Sequence, residues 1–347
     1  MINFKLIVPA VLICSFSYLS LLSFNPKLAN QQLIFICLGL ILYLTALNFD
    51  YRIFKVYHQH LYGLLLTLLI LTLLFGKVIK GSSRWIDVGF FRVQPSEFGK
   101  VILLFTLAAL LANVQGRLVR GKDLLRVTLV ILLPSILVLL QPDLGTAAVY
   151  LLIFLTLLAV LKVPKYYFVL AFIVFGLLVP NVWPLLKDYQ KERVTVFLNP
   201  LADPLGAGYN SLQSRIAVGS GQLFGKGFGS GTQSKLRFLP ESHTDFIFAS
   251  FSEEWGLLGV LALLTLYLLL LAELLTVAKS CEDRFGHLFV IGAFGLLFFQ
   301  TFINISVNVG LLPITGITLP LMSYGGSSMV TTFVLLGIVN NISAKQL

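Results

Sequence analysis

The chain has 347 residues, 57% of them hydrophobic and 12% charged, with a mean hydropathy of +0.92. Soluble domains carry roughly 25% charged residues, so this composition excludes a water-soluble globular protein and implies an integral membrane protein. The net charge of +10 reads in part as a topology signal and requires no nucleic acid, and Cys14, Cys37 and Cys281 show no disulfide or metal-ligand spacing.

Apolar runs near the ~20 residues that cross a bilayer recur about ten times. In chain order they fall near 4–24, 31–48, 61–79, 97–114, 126–141, 143–162, 166–183, 246–276, 286–307 and 318–341. Lys5 precedes the first run as in a signal peptide, but the run is too long and lacks a small-residue cleavage site, so it reads as a retained first helix. The fifth and sixth runs are parted only by Gln141, Pro142 and Asp143, which predicts a tight helical hairpin with Asp143 as the N-cap of its second arm. An even number of spans puts both termini on one side. The short loops of that side hold Arg52, Lys55, Arg117, Arg120, Lys122, Arg126, Lys162, Lys165, Lys279 and Arg284, which makes it cytoplasmic by the positive-inside rule. The expectation is therefore an all-α polytopic protein forming a single domain over 1–347, with one large extracytoplasmic loop, 184–245, between spans seven and eight. A loop of that length is usually functional or disordered, and its mixture of aromatic and aliphatic residues argues against disorder.

Three stretches carry chemistry. Residues 81–100, GSSRWIDVGFFRVQPSEFGK, run from a polar outer loop into the fourth span. Pro95 and Glu97 suit a helix N-terminus, whereas Lys100 lies one turn inside the span and needs a partner, which Glu97 on the same face can supply. Residues 219–231, GSGQLFGKGFGSG, hold six glycines but match neither common phosphate-loop template. They are either a turn-rich linker needing positive φ or a backbone that approaches an anionic group closely, with Lys226 adding charge. Residues 239–256, LPESHTDFIFASFSEEWG, place Glu241, His243, Asp245, Glu253 and Glu254 at a membrane boundary, where an acid must face protein, water or a ligand. Asp245 sits at the head of the eighth span and could cap it. That span exceeds 30 residues, so it either protrudes or bends near Gly256 and Gly259, and helical spacing would turn Glu253 roughly the way Asp245 faces. Near the C-terminus, LPLMSYGGSSM contains Ser323 and a glycine pair that suit close helix packing or ligand contact.

These segments, with QPDLGTA and the loop sequence RVTVFLNPLADPLGAGYNSLQSRIAVGSGQLFGKG, resemble in collinear order the signature segments of the SEDS family, whose members include RodA and FtsW. GYNSLQSRIAVGSGQLFGKG and LLPITG look closer to the cell-elongation members than to the division members. The resemblance implies a peptidoglycan glycosyltransferase that joins lipid II into glycan strands at the outer face of the bacterial cytoplasmic membrane. It implies Asp245 as the catalytic residue and Glu97 with Lys100 as the paired residues of its cavity. It also implies a divalent cation (Mg or Mn) with no organic cofactor, and a class B penicillin-binding protein as partner within the membrane lipid. Arg84, Arg193, Gln213, Ser214, Arg215, Lys226, Lys235, Glu241, His243 and Ser323 are the candidate substrate contacts. The physical requirement agrees: transfer from a lipid pyrophosphate needs one base for the acceptor hydroxyl and cations for the leaving group. A lipid II flippase or other transporter is the alternative, since charged spans can also line a pathway, but the charges here gather at one boundary.

Overall fold

The computed structural model describes residues 2–79, 82–87, 89, 92–114, 121–161, 163, 164, 166, 167, 169, 191, 195–199, 207–236 and 238–345. Among these, eight helices are long and apolar enough to cross a membrane, and a ninth, Leu144–Val160, is apolar but shorter. The predicted seventh span lies almost wholly outside the described residues, as does Arg117.

Helices α1 (Phe4–Phe24) and α2 (Pro26–Asn48) start where the sequence supplies caps. Asn3 accepts from Lys5 N, and Asn25 accepts from Leu28 N with Pro26 at the first helical position. Helix α3 (Arg52–Phe75) begins about three turns before the predicted third span, because RIFKVYHQH continues the helix as a polar stem, and it ends at Gly76. The chain then folds back as a small antiparallel sheet, β1 (Lys77–Ile79), β2 (Ser82–Asp87) and β3 (Arg92–Val93), in order β1-β2-β3. Lys77 pairs with Trp85, and Asp87 with Arg92. The sequence alone predicts only a polar loop here. Helices α4 (Pro95–Ala112), α5 (Gly121–Leu140) and α6 (Leu144–Val160) follow, and the α5–α6 hairpin turns at the predicted Gln141-Pro142-Asp143.

In the second half lie α7 (Ala207–Ser220), the short α8 (Thr232–Lys235), α9 (Ile247–Ser280), α10 (Arg284–Asn308) and α11 (Gly326–Ala344). Helices α4, α10 and α11 are largely buried, whereas α2, α3 and α5 turn most of their apolar surface outward, as lipid-facing helices do. Phe54, Phe105 and Phe289 stack with ring centroids 4.2 and 4.7 Å apart and tie α3, α4 and α10 together. The last predicted span begins eight residues too early. Residues 318–325 are not helical, although 319–323 are buried, since Pro320 and the positive φ of Leu321 (63°) break any helix there. Such irregular backbone is tolerated at membrane depth only where protein covers it.

The long run predicted as the eighth span is interrupted. Gly256 takes φ 63° and ψ −165°, so α9 is two helices joined at a break. A break orphans backbone groups on both sides, and in a membrane these must find partners inside the protein. The glycine-rich loop supplies them. Leu257 N donates to Gln222 O (2.8 Å) and Leu258 N to Leu223 O (3.2 Å), while Lys226 N donates to Glu253 O (2.9 Å) and Gly227 N to Glu254 O (3.0 Å). A Cβ on Gly256 would lie 2.2 Å from Gly225 N, so only glycine admits this splice.

Candidate active site

The first segment of α9 is buried, and its preceding turn carries Asp245. The N-cap of α9 is Phe246, so Asp245 stands one residue outside the helix rather than at its cap. The N–H of Ala249, which a cap side chain would ordinarily satisfy, donates instead to Asn308 Oδ1 at 3.0 Å. Asn308 Nδ2 donates to Asp245 O at 2.9 Å, and Asn304 Nδ2 donates to the same carbonyl at 3.1 Å and to Ile317 O at 2.8 Å. Two buried asparagines four residues apart on α10 therefore fix the backbone of the aspartate from behind. Sequence reasoning missed them, although Gln300, Asn304 and Asn308 recur every fourth residue in an otherwise apolar span.

The two residues before Asp245 are pinned by the segment before α11. Ser323 Oγ donates to Thr244 O at 2.7 Å and accepts from Leu319 N at 2.8 Å, and Tyr324 N donates to His243 O at 2.8 Å. The His243 ring packs on Tyr324 with centroids 5.7 Å apart. Ser214 on α7 is buried and donates to Asn308 O at 2.9 Å, which brings the loop helix onto the same asparagine. The hydroxyls of Ser214 and Ser323, both candidate substrate contacts, thus hold the framework of the site.

Half-buried, Asp245 lines a cavity of about 260 Å³ together with Glu241, Asn210, Ser211, Pro313 and Ile314. Glu241 has a positive φ (56°) and accepts from Thr244 Oγ1 at 3.3 Å. The segment that follows Ile314 links the signature stretches. Asp245 Oδ2 lies 3.9 Å from where a Cβ on Gly316 would stand, and a Cβ on Gly145 would lie 2.6 Å from Thr315 O. The head of α6 is therefore next to the far side of this segment. There Asp143 caps α6 through Thr146 N (3.1 Å) and accepts from Gln94 Nε2 (3.1 Å), while Arg84 NH1 lies 3.6 Å away and Arg84 NH2 donates to Pro142 O. Gln94 N in turn donates to Ser327 Oγ at 3.0 Å.

Glu97 and Lys100 form the expected ion pair, at 2.6 Å and buried in the first turns of α4. They are not among the residues that wall the 260 Å³ cavity. Glu253 does not face the way Asp245 does, because the helix begins only at Ile247 and helical spacing cannot be extended back to 245. Its carboxylate, fully buried, accepts from Lys226 Nζ (2.7 Å), Thr232 N (2.9 Å), Thr232 Oγ1 (2.9 Å) and Gln233 N (3.1 Å). The anion that the glycine-rich loop approaches is thus the chain's own Glu253. Arg215 is exposed with NH2 donating to Gly310 O at 3.2 Å, Lys235 is exposed with Nζ donating to Gly229 O at 3.0 Å, and Gln213 is half-buried on α7. Arg193 lies outside the described residues.

The oxygen donors Glu241 and Asp245 share one cavity and suit a hard divalent cation. Among the described residues no three His, Cys, Asp or Glu side chains gather as a metal cage. An ion of the magnesium kind, which binds through one or two carboxylates and a ligand's phosphates, fits this donor set.

The fold and site define a multi-pass α-helical membrane protein with an acid-bearing cavity at one end of its bundle. The chain belongs to the FtsW/RodA/SpoVE family of cell cycle proteins, whose model it matches over residues 1–347. It is 39% identical over 313 residues to the peptidoglycan glycosyltransferase MrdB of Escherichia coli strain K12, a match covering 90% of this chain and 84% of that protein. The probable peptidoglycan glycosyltransferase FtsW of Coxiella burnetii is 38% identical over 320 residues, 90% of this chain and 85% of that one. The rod shape determining protein RodA of Thermus thermophilus superposes with a TM-score of 0.76 at 30% identity, covering 100% of this chain and 98% of the other. A chain of a peptidoglycan synthase complex, solved for the structural coordination of polymerization and crosslinking, gives 0.87 at 35% identity with the same coverage.

Proposed function

We propose that this protein is a peptidoglycan glycosyltransferase that polymerises lipid II at the outer face of the bacterial cytoplasmic membrane during cell elongation, with Asp245 as general base. The observation that carries the reading is the placement of Asp245. Its backbone is held by Asn304 and Asn308, while Asn308 takes over service of the α9 N-terminus and the carboxylate lines a cavity. In this reading Asp245 removes the proton of the acceptor sugar's hydroxyl as that oxygen attacks the donor's anomeric carbon with inversion. The bond to the lipid pyrophosphate breaks, and the diphosphate leaves with its electron pair. Arg215 and Lys235, both exposed, with Arg193, are the candidates for steadying it. Lys226 is committed in part to Glu253 but remains 30% exposed, enough to meet an anion as well. Glu241 would hold a Mg or Mn ion, which when bound offsets pyrophosphate charge. Gln213, His243, Ser214, Ser323 and Arg84 shape the site around these groups, and the Glu97–Lys100 pair orders the start of α4, from which Gln94 reaches Asp143 and Ser327.

Elongation rather than division is supported by the loop sequence and by the RodA structural likeness. The synthase-complex likeness supports a transpeptidase of the penicillin-binding class as partner, and the distribution of basic loops supports cytoplasmic termini. Purified protein incubated with labelled lipid II, with and without a divalent cation and the partner, should yield polymer. Asp245→Asn protein should bind lipid II and yield none. Polymer at near-normal rate from Asp245→Asn would remove the base assignment, and no polymer from the wild type under any of these conditions would remove the activity.

A further inference from the structure

A second cavity opens at the opposite end of the bundle, where the chain passes from α2 to α3. It measures about 180 Å³, and its walls are almost entirely apolar: Leu42 and Phe49 from the α2 end, Tyr51 and Phe54 from the start of α3, Val334 and Ile338 from α11. Phe49 is 61% exposed, and the helices on either side continue outward as Leu44, Ile53 and Val56, all exposed. The groove is thus continuous with the surface that faces lipid. Its volume is too small for a whole lipid and suits part of one hydrocarbon chain.

The mouth of the groove is cationic. The Arg52 guanidinium lies 5.8 Å from the centroid of the Tyr51 ring, itself part of the wall, and Lys55 is one turn further along the same helix, exposed. The nearby acids are occupied. Asp50 is paired with Lys345 at 2.6 Å, and Asp283, which accepts from Tyr51 OH, also caps α10 through Phe285 N and Gly286 N. The Arg52 guanidinium hydrogen-bonds Tyr51 in the groove wall but is exposed, and with the exposed Lys55 it presents cations at the level where a chain entering the groove would carry its headgroup.

We propose that this groove is a binding site for an anionic phospholipid, with one acyl chain seated between α2, α3 and α11 and the phosphate held by Arg52 and Lys55. Basic pockets between membrane helices recognise lipid headgroups in this manner. The site is remote from Asp245 and independent of the activity proposed for it.

The test uses the full chain in neutral detergent, read by native mass spectrometry and by thermal unfolding. The added ligands are phosphatidylglycerol, phosphatidylcholine of the same chains, and glycerophosphoglycerol as the chainless headgroup. Phosphatidylglycerol should remain bound and raise the unfolding midpoint, while the other two should bind at least about fivefold more weakly. Arg52→Gln and Lys55→Gln should each weaken phosphatidylglycerol about fivefold, the effect of one cation near an anionic lipid. Thr45→Phe, which fills the groove from an exposed wall position, should weaken it without changing the cations. All three positions are exposed, so the lipid-free midpoints should match the wild type, and a variant that lowers its own midpoint is replaced by Lys55→Ala or Thr45→Leu. Equal retention of both lipids, chainless headgroup binding as tight as the lipid's, or insensitivity to either class of variant would each overturn the site.

Discussion

Asp245 and Glu253 flank the same short helical segment, eight residues apart, and the protein treats them in opposite ways. Glu253 is sealed: its oxygens accept from an ammonium, a hydroxyl and two backbone N–H groups, all from the glycine-rich loop and α8. Asp245 is held by its backbone, through Asn304 and Asn308, and its carboxylate lines a cavity. The contrast separates two uses of an acid at a membrane boundary. A saturated carboxylate fixes the loop and the first turn of α8, and that loop in turn satisfies the backbone groups orphaned by the break in α9. A carboxylate whose main chain is fixed and whose side chain lines a cavity is placed to meet a substrate there.

The sharpest way to break this contrast is to remove the two charges separately. Asp245→Asn should lower lipid II polymerisation by about 10² to 10⁴, the usual cost of losing a general base, with the unfolding midpoint close to wild type. Glu253→Gln should do the reverse. Its amide N–H groups would confront the N–H donors of Thr232 and Gln233, and Lys226 would lose its partner. Breaking a fully buried pair costs ~3–5 kcal/mol; Lys226 can turn to water, so about 2–4 kcal/mol of stability is expected, with turnover of the folded fraction largely kept. An Asp245→Asn protein that fails to fold, or a Glu253→Gln protein that folds normally but is inactive, would exchange the two roles.

Much of this was legible in the sequence, and for local reasons. The spans among the described residues follow from runs of apolar residues, the α5–α6 turn from Gln141-Pro142-Asp143, and the Glu97–Lys100 pair from a spacing of three on one helix, while the excess length of the eighth run leaves open whether it protrudes or bends near Gly256 or Gly259, and the structure breaks it at Gly256. What escaped depends on contacts between residues far apart in the chain. The glycine-rich loop could be read as close to an anion, but not that the anion was Glu253. Residues 318–325 are as apolar as a span, and hydropathy cannot tell a helix from a buried irregular strap. Asn304 and Asn308 carried a signal in their spacing of four, yet the groups they serve, Asp245 and Ala249, lie on another element.

The placement of Asp245 can be tested through Asn308. Asn308→Ala leaves Ala249 N–H and one bond to Asp245 O unmade inside the protein, and a buried unsatisfied group costs ~1–3 kcal/mol. Stability should fall by that amount. Because small displacements of a reacting group are expensive, kcat should fall by roughly ten- to a hundredfold while KM changes little. A loss of stability with unchanged kcat would mean that the asparagine supports the fold alone.

The smallest effect is expected at a third carboxylate, which separates pairing from burial. Asp50 is paired with Lys345 at 2.6 Å, as short as any ion pair described above, but its side chain is 40% exposed. The Lys345 ammonium, followed by the backbone N–H of Arg52, holds its carboxyl below the usual range. A carboxylate whose pKa is lower in the folded state contributes stability that is fully present above its unfolded pKa of about 3.9 and is lost as pH falls through the lower folded value. Exposed pairs are screened by water and salt and are worth about 0–1 kcal/mol. Asp50→Asn should therefore lower the unfolding free energy at neutral pH by less than about 1 kcal/mol, and the difference from wild type should shrink as pH falls below about 4. Unfolding curves of both proteins from pH 7 to 3 would check it. A loss at neutral pH as large as that of Glu253→Gln would show that pairing alone, and not burial within the spliced helix, sets the importance of an acid in this chain.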